Sequence, residues 1–491
     1  MYRILGTETE FGILAKGSGH ADPVTDSIRL IGHFPSLAAP RGIWDYEYEN
    51  PFLDSRGFVV EGEPERPNPH YNRQLNKLLL NGGRLYVDGA HPEYSTPECS
   101  QPLELLAYER AGERIIQACL ESLNTSLDGE KVFVYKNNSD GKGNSYGYHE
   151  NYLLSRSVPF DKIAQTLIPF FVTRQIYAGS GKVGAENHTN PIDYQIAQRS
   201  DFFECLMDLN TMVKRPIINT RDEPHTELDK YRRLHVIVGD ANMAEIPTYL
   251  KIGTTAIIME MLDAGWEFPK LSLENPVQDI KTVSRDLNLN ASLRLANKRT
   301  TTSIEIQQSY LQAAHDFYNT RDLSPATKEV LVLWDTILKK LEEDPTQLHK
   351  ELDWVAKHRM IQTYIDRKGC GWNDPRARLL DLQYHDMRPE RGLYYTLERA
   401  NRIVRLLQDH DIEQATVSPP CNTRAYFRGT CLKRFPENVY GMSWTSVLLD
   451  QGHDQIKRIP LTDPYRGTQS LTNELLDGVQ TIDQLLEKLS K

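Results

Sequence analysis

The spacing of apolar and polar positions changes period several times along this chain, and the changes mark its elements. Residues 2–14 alternate as a strand does, with Glu8, Glu10 and Gly12 on one face and Thr7, Thr9 and Phe11 on the other. Residues 84–88 alternate in the same way: Arg84, Tyr86 and Asp88 point one way, Leu85 and Val87 the other. Residues 132–137, 149–155 and 234–238 read as further strands, the last with His235 and Ile237 sharing a face. Helical spacing predicts helices over 71–80 (closed by Asn81-Gly82-Gly83), 103–123, 160–177 and most of 254–408, with breaks near Pro276 and at 369–375. Between 33 and 70 there are six prolines and no clean period, so a long loop is expected, carrying the acidic aromatic stretch WDYEYENPF (44–52). Ser418-Pro419-Pro420 suggests a boundary between a large unit, 1–415, and a small one, 416–491. Strands gathered apart from the long helical stretch point to an α+β fold.

Composition narrows the class. Of 491 residues, 39% are hydrophobic, enough for a sizeable core. A net charge of −10 argues against a general nucleic-acid binder, while leaving room for a local basic groove. Helical stretches bearing arginines between 196 and 234 are the expected lining of such a groove. No apolar run approaches a membrane span, and MYRILGTETEFGIL lacks the basic start and apolar core of a signal peptide. The six cysteines form no CxxC pair, which fits a reducing cytoplasm.

Four segments carry candidate chemistry: GTETEFG (6–12), RLYVDGAHPEYSTPE (84–98), YGYHENYLL (146–154) and YRRLHVIVGDAN (231–242). Each puts carboxylates or a histidine on an expected strand. A sheet face lined with Glu, Asp, His, Tyr and Arg is costly to bury unless these groups bind ions. Glu8, Glu10 and Glu93 offer the oxygen ligands Mg2+ prefers, whereas His149 and His235 suit softer ions. Taken singly, each carboxylate reads equally as a surface ion pair and each histidine as a structural one. Glycines at 176–184 and Lys182 can approach phosphate, although no Walker A pattern is present. Arg199, Arg221 and Arg233 can grip phosphate or carboxylate, or serve as ion-pair partners. There is no GxSxG elbow, cysteine nucleophile motif or HExxH.

Together with INTRDEPH (218–225) and GMSWTSV (441–447), these segments resemble the Pup ligase/Pup deamidase family, related to glutamine synthetase and glutamate–cysteine ligase. The likeness covers nearly the whole chain, with its motifs in the family order. It implies a glutamine-synthetase-like large domain, with a curved antiparallel sheet packed on helices, and a small C-terminal domain alongside. It implies ATP, or ADP plus phosphate, and Mg2+ as cofactors. By the same resemblance Asp88 is the catalytic carboxylate, and Glu8, Tyr86, Glu93, His149 and His235 are metal ligands or their neighbours. Gly6, Thr7, Glu10, Arg84, Thr96, Asn151, Arg199, Arg221, Arg233 and Trp444 are the implied contacts of nucleotide, phosphate or substrate. The implied partners are Pup and pupylated proteins, with a functional link to the bacterial proteasome pathway. Three features lean toward the deamidase branch over the ligase: Thr7 where the ligase usually has isoleucine, the long interval from Glu8 to Asp88 filled by the 33–70 insertion, and the short turn Gly89-Ala90. The resemblance then implies hydrolysis of an amide or isopeptide bond, with a Pup–protein ligase and a small-molecule carboxylate–amine ligase as rivals.

Overall fold

The computed structural model describes residues 3–17, 22–35, 42–64, 66–452 and 455–490. Residue 2 of the first expected strand and residues 36–41 and 65 of the expected insertion loop lie outside these.

Six antiparallel strands make the central sheet, in the order Tyr231–Val236, Tyr148–Ser155, Leu5–Glu10, His91–Ser95, Arg84–Asp88, Asn76–Leu78. Alternation along each strand divides the sheet cleanly. One face carries Leu5, Tyr94, Leu85, Tyr152, Leu154 and Leu234, all buried, and helices Pro102–Ser126 and Glu245–Asp263 pack on it, with Phe160–Ala178 packed against Glu245–Asp263 and tied to the sheet by Arg174, which donates to Glu150. A single apolar core runs from these helices into Ser303–Tyr318 and Pro325–Glu343. Local signals set several of the helix ends. Thr302 and Glu305 form a reciprocal capping box at the start of Ser303–Tyr318, and Gly369, at φ +62°, closes Asp353–Lys368 in the left-handed conformation that glycine adopts at least cost. The expected α+β class holds.

A second sheet has four strands, in the order Ile456–Pro460, Ser446–Asp450, Val439–Met442, Ile43–Trp44. Its outermost strand comes from the insertion and pairs in parallel with Val439–Met442. Trp44 and Leu78 share a core with Phe427, Leu432, Val447 and Leu485, so the insertion and the edge of the central sheet both pack into the small C-terminal unit.

Three local expectations are corrected, and one helix was not anticipated. The helix expected over 71–80 ends at Leu75, and Asn76–Leu78 is a strand instead. Asn76 accepts from Arg84 Nε at 2.9 Å while pairing opposite Tyr86, and these long-range bonds outrank the helix propensity of the leucine-rich run. Within 196–234 the only helical element is the one-turn Ser200–Phe202; the segment is otherwise built on strands Phe203–Asp208, Arg215–Asn219 and Tyr231–Val236. The first long strand is interrupted at Phe11, so that Gly12–Lys16 leaves the central sheet and pairs with Lys131–Tyr135. A helix, Pro23–Gly32, precedes the insertion; Asp22 caps it from the N-cap and Pro23 stands in its first turn, a start signal the apolar pattern hid. None of the described helices is long and apolar enough to cross a membrane.

Candidate active site

The second face of the central sheet is the polar one, and its register brings the candidate residues together. Glu8 lies opposite His149 on one side and Ser95 on the other. Glu10 lies opposite Glu93, Glu93 opposite Tyr86, and His235 opposite Asn151. Directly paired residues point to the same side of a sheet, so Gly6, Glu8, Glu10, His149, Asn151, Arg233, His235, Glu93, Arg84, Tyr86 and Asp88 share one surface.

Two groups of potential ligands form there. Glu8, His149 and His235 each offer an atom within 4.8 Å of the others, and so do Glu10, Asp88 and Glu93. Glu8 is the hub of the first. Its Oε2 lies 3.2 Å from His149 Nδ1 and 3.7 Å from His235 Nε2, and its Oε1 accepts from Asn151 Nδ2 at 3.0 Å. Burial alone would raise the Glu8 pKa, but His149 and His235 more than offset this and bring it well below the usual carboxylate range. His235 is pushed down to about 3, first by burial, so its imidazole is neutral and its ring nitrogens can serve as ligands. Asn219 Oδ1 lies 3.1 Å from its Nδ1 and fixes the ring, leaving Nε2 buried and without a hydrogen-bond partner among the described residues.

The second group is dominated by like charge. Glu93 is almost fully buried, and its Oε2 has no hydrogen-bond partner among the described residues. Burial, then Asp88, Glu10 and Glu8, drive its pKa well upward. Asp88 is an exposed residue at the end of its strand. Its pKa is raised by the protein mass around the carboxyl and by Glu10, while His149 and Arg221 pull it back. Glu10 accepts from Gly147 N at 2.7 Å and stands 3.6 Å from His91 Nδ1. Three carboxylates this close are stable together in ionised form only beside positive charge, and a cation fits the donor set.

The arginines divide. Arg233 reaches the site: NH1 donates to Asn151 Oδ1 at 2.9 Å and lies 3.6 Å from Glu8 Oε1, and NH2 lies 3.6 Å from Glu223. Arg221 acts electrostatically on Asp88, and its buried Nε has no hydrogen-bond partner among the described residues. Arg84 lies over the rings of Trp44 and Tyr86 and donates to Tyr46 OH at 2.7 Å. Arg199 is buried and held by the backbone carbonyls of Ile237 and Gly239. Arg215 and Arg232 likewise bind the carbonyls of Ser145 and Val158. The arginines of 196–234 therefore do not line one groove: strand alternation sends Arg232 and Arg233 to opposite sides of the central sheet, and backbone carbonyls hold Arg199, Arg215 and Arg232. Lys182 is buried and ion-paired with Glu186.

Thr7 is also corrected. It falls between Gly6 and Glu8, so alternation turns its side chain to the helix-packed face, where it is 2% exposed. Only its backbone serves the site: Thr7 N donates to Thr96 Oγ1 at 3.0 Å, and Thr96 N donates to Thr7 O at 2.9 Å. Gly6 does face the site, and a Cβ there would sit 3.6 Å from Thr96 Oγ1. Trp444 enters from the small unit and meets Trp44 edge-on, ring centres 5.0 Å apart.

Sequence reasoning missed several supports of these groups, among them Asn219, Glu223, Trp44, Tyr46 and His91. Asn219 and Glu223 stand inside INTRDEPH, and Trp44 and Tyr46 alternate within WDYEYENPF, so a residue-by-residue reading of those motifs carried the signal. The insertion is anchored rather than free. Asn50 N donates to Glu223 Oε1 at 2.6 Å, Ser55 N to Thr220 O at 2.7 Å, Asp222 N to Leu53 O at 2.8 Å, and Thr220 Oγ1 to Asp54 Oδ2 at 2.6 Å.

Comparison with known proteins gives a consistent picture. The family described as Pup-ligase protein matches residues 3–448. The chain is similar to a depupylase of Acidothermus cellulolyticus, 43% identical over 500 residues and covering 100% of this chain and 99% of that one. It is similar to a Pup deamidase/depupylase of Mycolicibacterium smegmatis, 42% identical with both chains fully covered. A Pup–protein ligase of Nocardioides is 41% identical over 419 residues, covering 83% of this chain and 91% of its own. Among solved structures, the ligase PafA in complex with the prokaryotic ubiquitin-like protein Pup superposes with a TM-score of 0.82 at 32% identity, covering 100% of this chain and 93% of that one. PafA in complex with ADP gives 0.75 at 33% identity, covering 88% and 97%.

Proposed function

The chain belongs to the Pup-ligase family, and from that premise we propose that it is a nucleotide-dependent amidohydrolase. It converts a C-terminal glutamine of Pup to glutamate and cleaves the isopeptide bond between Pup and lysine. The observation that carries this reading is a single sheet face on which Asp88, with Glu10 and Glu93, stands beside the triplet of Glu8, His149 and His235, with Arg221 and Arg233 alongside. Full-length similarity to chains named depupylase and Pup deamidase/depupylase supports the hydrolytic branch. So does the anchoring of the insertion, which ties to the loop that carries Arg221.

The residues present fit a magnesium nucleotide. Glu93 Oε2, His235 Nε2, Arg221 Nε and Arg233 Nε are buried polar atoms without hydrogen-bond partners among the described residues, and they divide into ligands for a cation and donors for phosphate or substrate. Glu8, Glu93, His149 and His235 would hold Mg2+, with Tyr86 beside them. Gly6, Glu10, Arg84, Thr96, Asn151 and Arg233 would line the nucleotide, Arg221 would face the substrate beside Asp88, and Trp444 of the unit 416–491 would flank the base against the catalytic unit 1–415. Arg199 supports this wall through the carbonyls it binds. When bound, the magnesium nucleotide supplies positive charge that keeps the carboxylates ionised and stabilises a developing oxyanion.

Asp88 performs the chemistry. Its carboxylate attacks the side-chain carbonyl carbon of the glutamine or isopeptide, the C–N bond breaks, and ammonia or the lysine amine leaves with a proton drawn from the water molecule that attacks next. Water then attacks the resulting mixed anhydride, releasing glutamate and regenerating Asp88. Arg221 favours the ionised form of Asp88 before attack. Amide hydrolysis is downhill, so the nucleotide acts as a cofactor and is not consumed in each turnover.

The test is incubation of the full chain with Pup ending in glutamine and a slowly hydrolysed ATP analogue. Amide-to-acid conversion followed by mass spectrometry is expected, and it should be lost in Asp88→Asn with ADP binding retained. Conjugates formed from Pup ending in glutamate with ATP, together with no deamidation of Pup ending in glutamine, would establish the ligase reading instead. In a single turnover in 18O-water the label should enter the product through the anhydride, with some carried on Asp88.

A further inference from the structure

Three walls of the hollow meet on one carboxylate that no catalytic role requires. Glu98 closes the segment carrying Glu93 and Thr96, and its side chain is 11% exposed. Arg424 Nε donates to Glu98 Oε1 at 2.7 Å. Arg428 donates to both carboxylate oxygens, at 3.2 Å to Oε1 and more closely to Oε2. Thr423 Oγ1 donates to the Glu98 carbonyl at 2.7 Å, so the start of the small unit is fixed to the same residue.

Beyond Glu98 each arginine continues to a different wall. Arg428 donates to Trp444 O at 3.1 Å and to Gly82 O at 2.7 Å. Arg424 donates to His225 O at 2.8 Å and to Leu461 O at 2.7 Å. His225 ends the loop that carries Arg221 and Glu223, and it holds a left-handed backbone at φ +50°, a conformation non-glycine residues keep only when their surroundings impose it. Both guanidinium groups are nearly inaccessible, at 3% and 1%. A buried Arg–Glu–Arg group is weak evidence for stability, because apolar replacements are often as stable. What it does supply is direction: two rigid planar forks hold backbone carbonyls at set positions relative to one anion.

The geometry points to Glu98 as a positioning residue that couples the Trp444 wall, through Arg428, to the Arg221 loop, through Arg424. Trp444 is the proposed base contact and Arg221 the group facing Asp88, so this inference rests on the function proposed above. One carboxylate thereby sets the nucleotide wall and the catalytic loop at a fixed separation.

The experiment compares Glu98→Gln, Arg424→Lys and Arg428→Lys in the full chain. ADP affinity is measured by calorimetry without Pup, kcat for Pup deamidation at saturating nucleotide, and melting temperature alongside. Lysine keeps the charge but loses the fork, so Arg428→Lys should weaken ADP binding about tenfold with kcat changed by less than about twofold. Arg424→Lys should lower kcat about tenfold with ADP affinity within about twofold, and Glu98→Gln should do both. Losses of both quantities in step, in each lysine variant and tracking melting temperature, would mean a merely structural ion pair and overturn the inference; so would no change in either. If Glu98→Gln does not fold, the two lysine variants decide the matter by the same split. If the wild type binds ADP but leaves Pup untouched, the hydrolase reading fails while the inference is still judged by whether Arg428→Lys, and not Arg424→Lys, weakens ADP binding. A wild type that binds no ADP overturns both.

Discussion

Arg84 lies over the ring of Trp44, its guanidinium carbon 4.2 Å from the ring centre, and over the ring of Tyr86 at 3.9 Å. A strand residue of the catalytic face is therefore gripped by a residue of the insertion that precedes it. Cation–π contacts shielded from water are worth about 1–2 kcal/mol. Trp44→Ala should loosen Arg84 and weaken ADP binding by about fivefold to thirtyfold, measured by calorimetry, while Trp44→Phe should restore most of the loss. Unchanged affinity in Trp44→Ala would separate Arg84 from the nucleotide.

Thr7 and Thr96 should behave oppositely although each stands in a signature segment. Thr7→Val alters a side chain on the helix-packed face and should leave ADP affinity and deamidation within about twofold of wild type. Thr96→Val removes the acceptor of the Thr7 N–H and leaves a buried donor unpaired, at a cost of about 1–3 kcal/mol. That variant should show a lower melting temperature and weaker ADP binding. Equal effects from the two would contradict the strand register.

Chelation of divalent ions should abolish ADP binding, because Glu10, Asp88 and Glu93 lose the charge that lets them ionise together. Refilling should need less Mn2+ than Mg2+, since imidazole favours the later metal. His235→Ala should erase most of that difference by removing one of two imidazoles from the Glu8 triplet. A metal titration of ADP binding reads both effects, and an undiminished Mn2+ preference in His235→Ala would remove His235 from the ligand set.

Acid stability should report on Glu98. Burial would raise its pKa, but Arg428 and Arg424 bring it from 4.5 down to about 2. A carboxylate depressed on folding contributes stability above its unfolded pKa, and that contribution is lost as pH falls through the folded value. The shift corresponds to about 3 kcal/mol, lost between roughly pH 4.5 and 2. Denaturant melts across that range should show a shallower decline in Glu98→Gln than in wild type, and identical slopes would contradict the ion-pair geometry.

The polar faces of Leu5–Glu10 and Arg84–Asp88 were readable from alternation, because the two-residue period of a strand is a local property of the backbone. The same holds for Pro102–Ser126 and Phe160–Ala178, whose apolar spacing matched a helix to within a few residues. The motifs likewise brought Asp88, Glu8, Glu93, His149 and His235 into one candidate set. Local pattern did not reveal which strands would be neighbours, nor that 76–78 would leave a helix to pair with Tyr86. It did not reveal that Trp44 would join a sheet formed almost 400 residues later, in parallel with Val439–Met442. The assignment of Arg199, Arg215 and Arg232 to backbone carbonyls, and of Arg424 and Arg428 to Glu98, was equally hidden. An arginine's partner depends on which acceptor packing brings within reach of its fork, and here those acceptors lie tens to hundreds of residues away. Side-chain alternation is written into each short stretch of chain; the meeting of distant stretches is decided only when the core closes and every buried charge must find its counterpart.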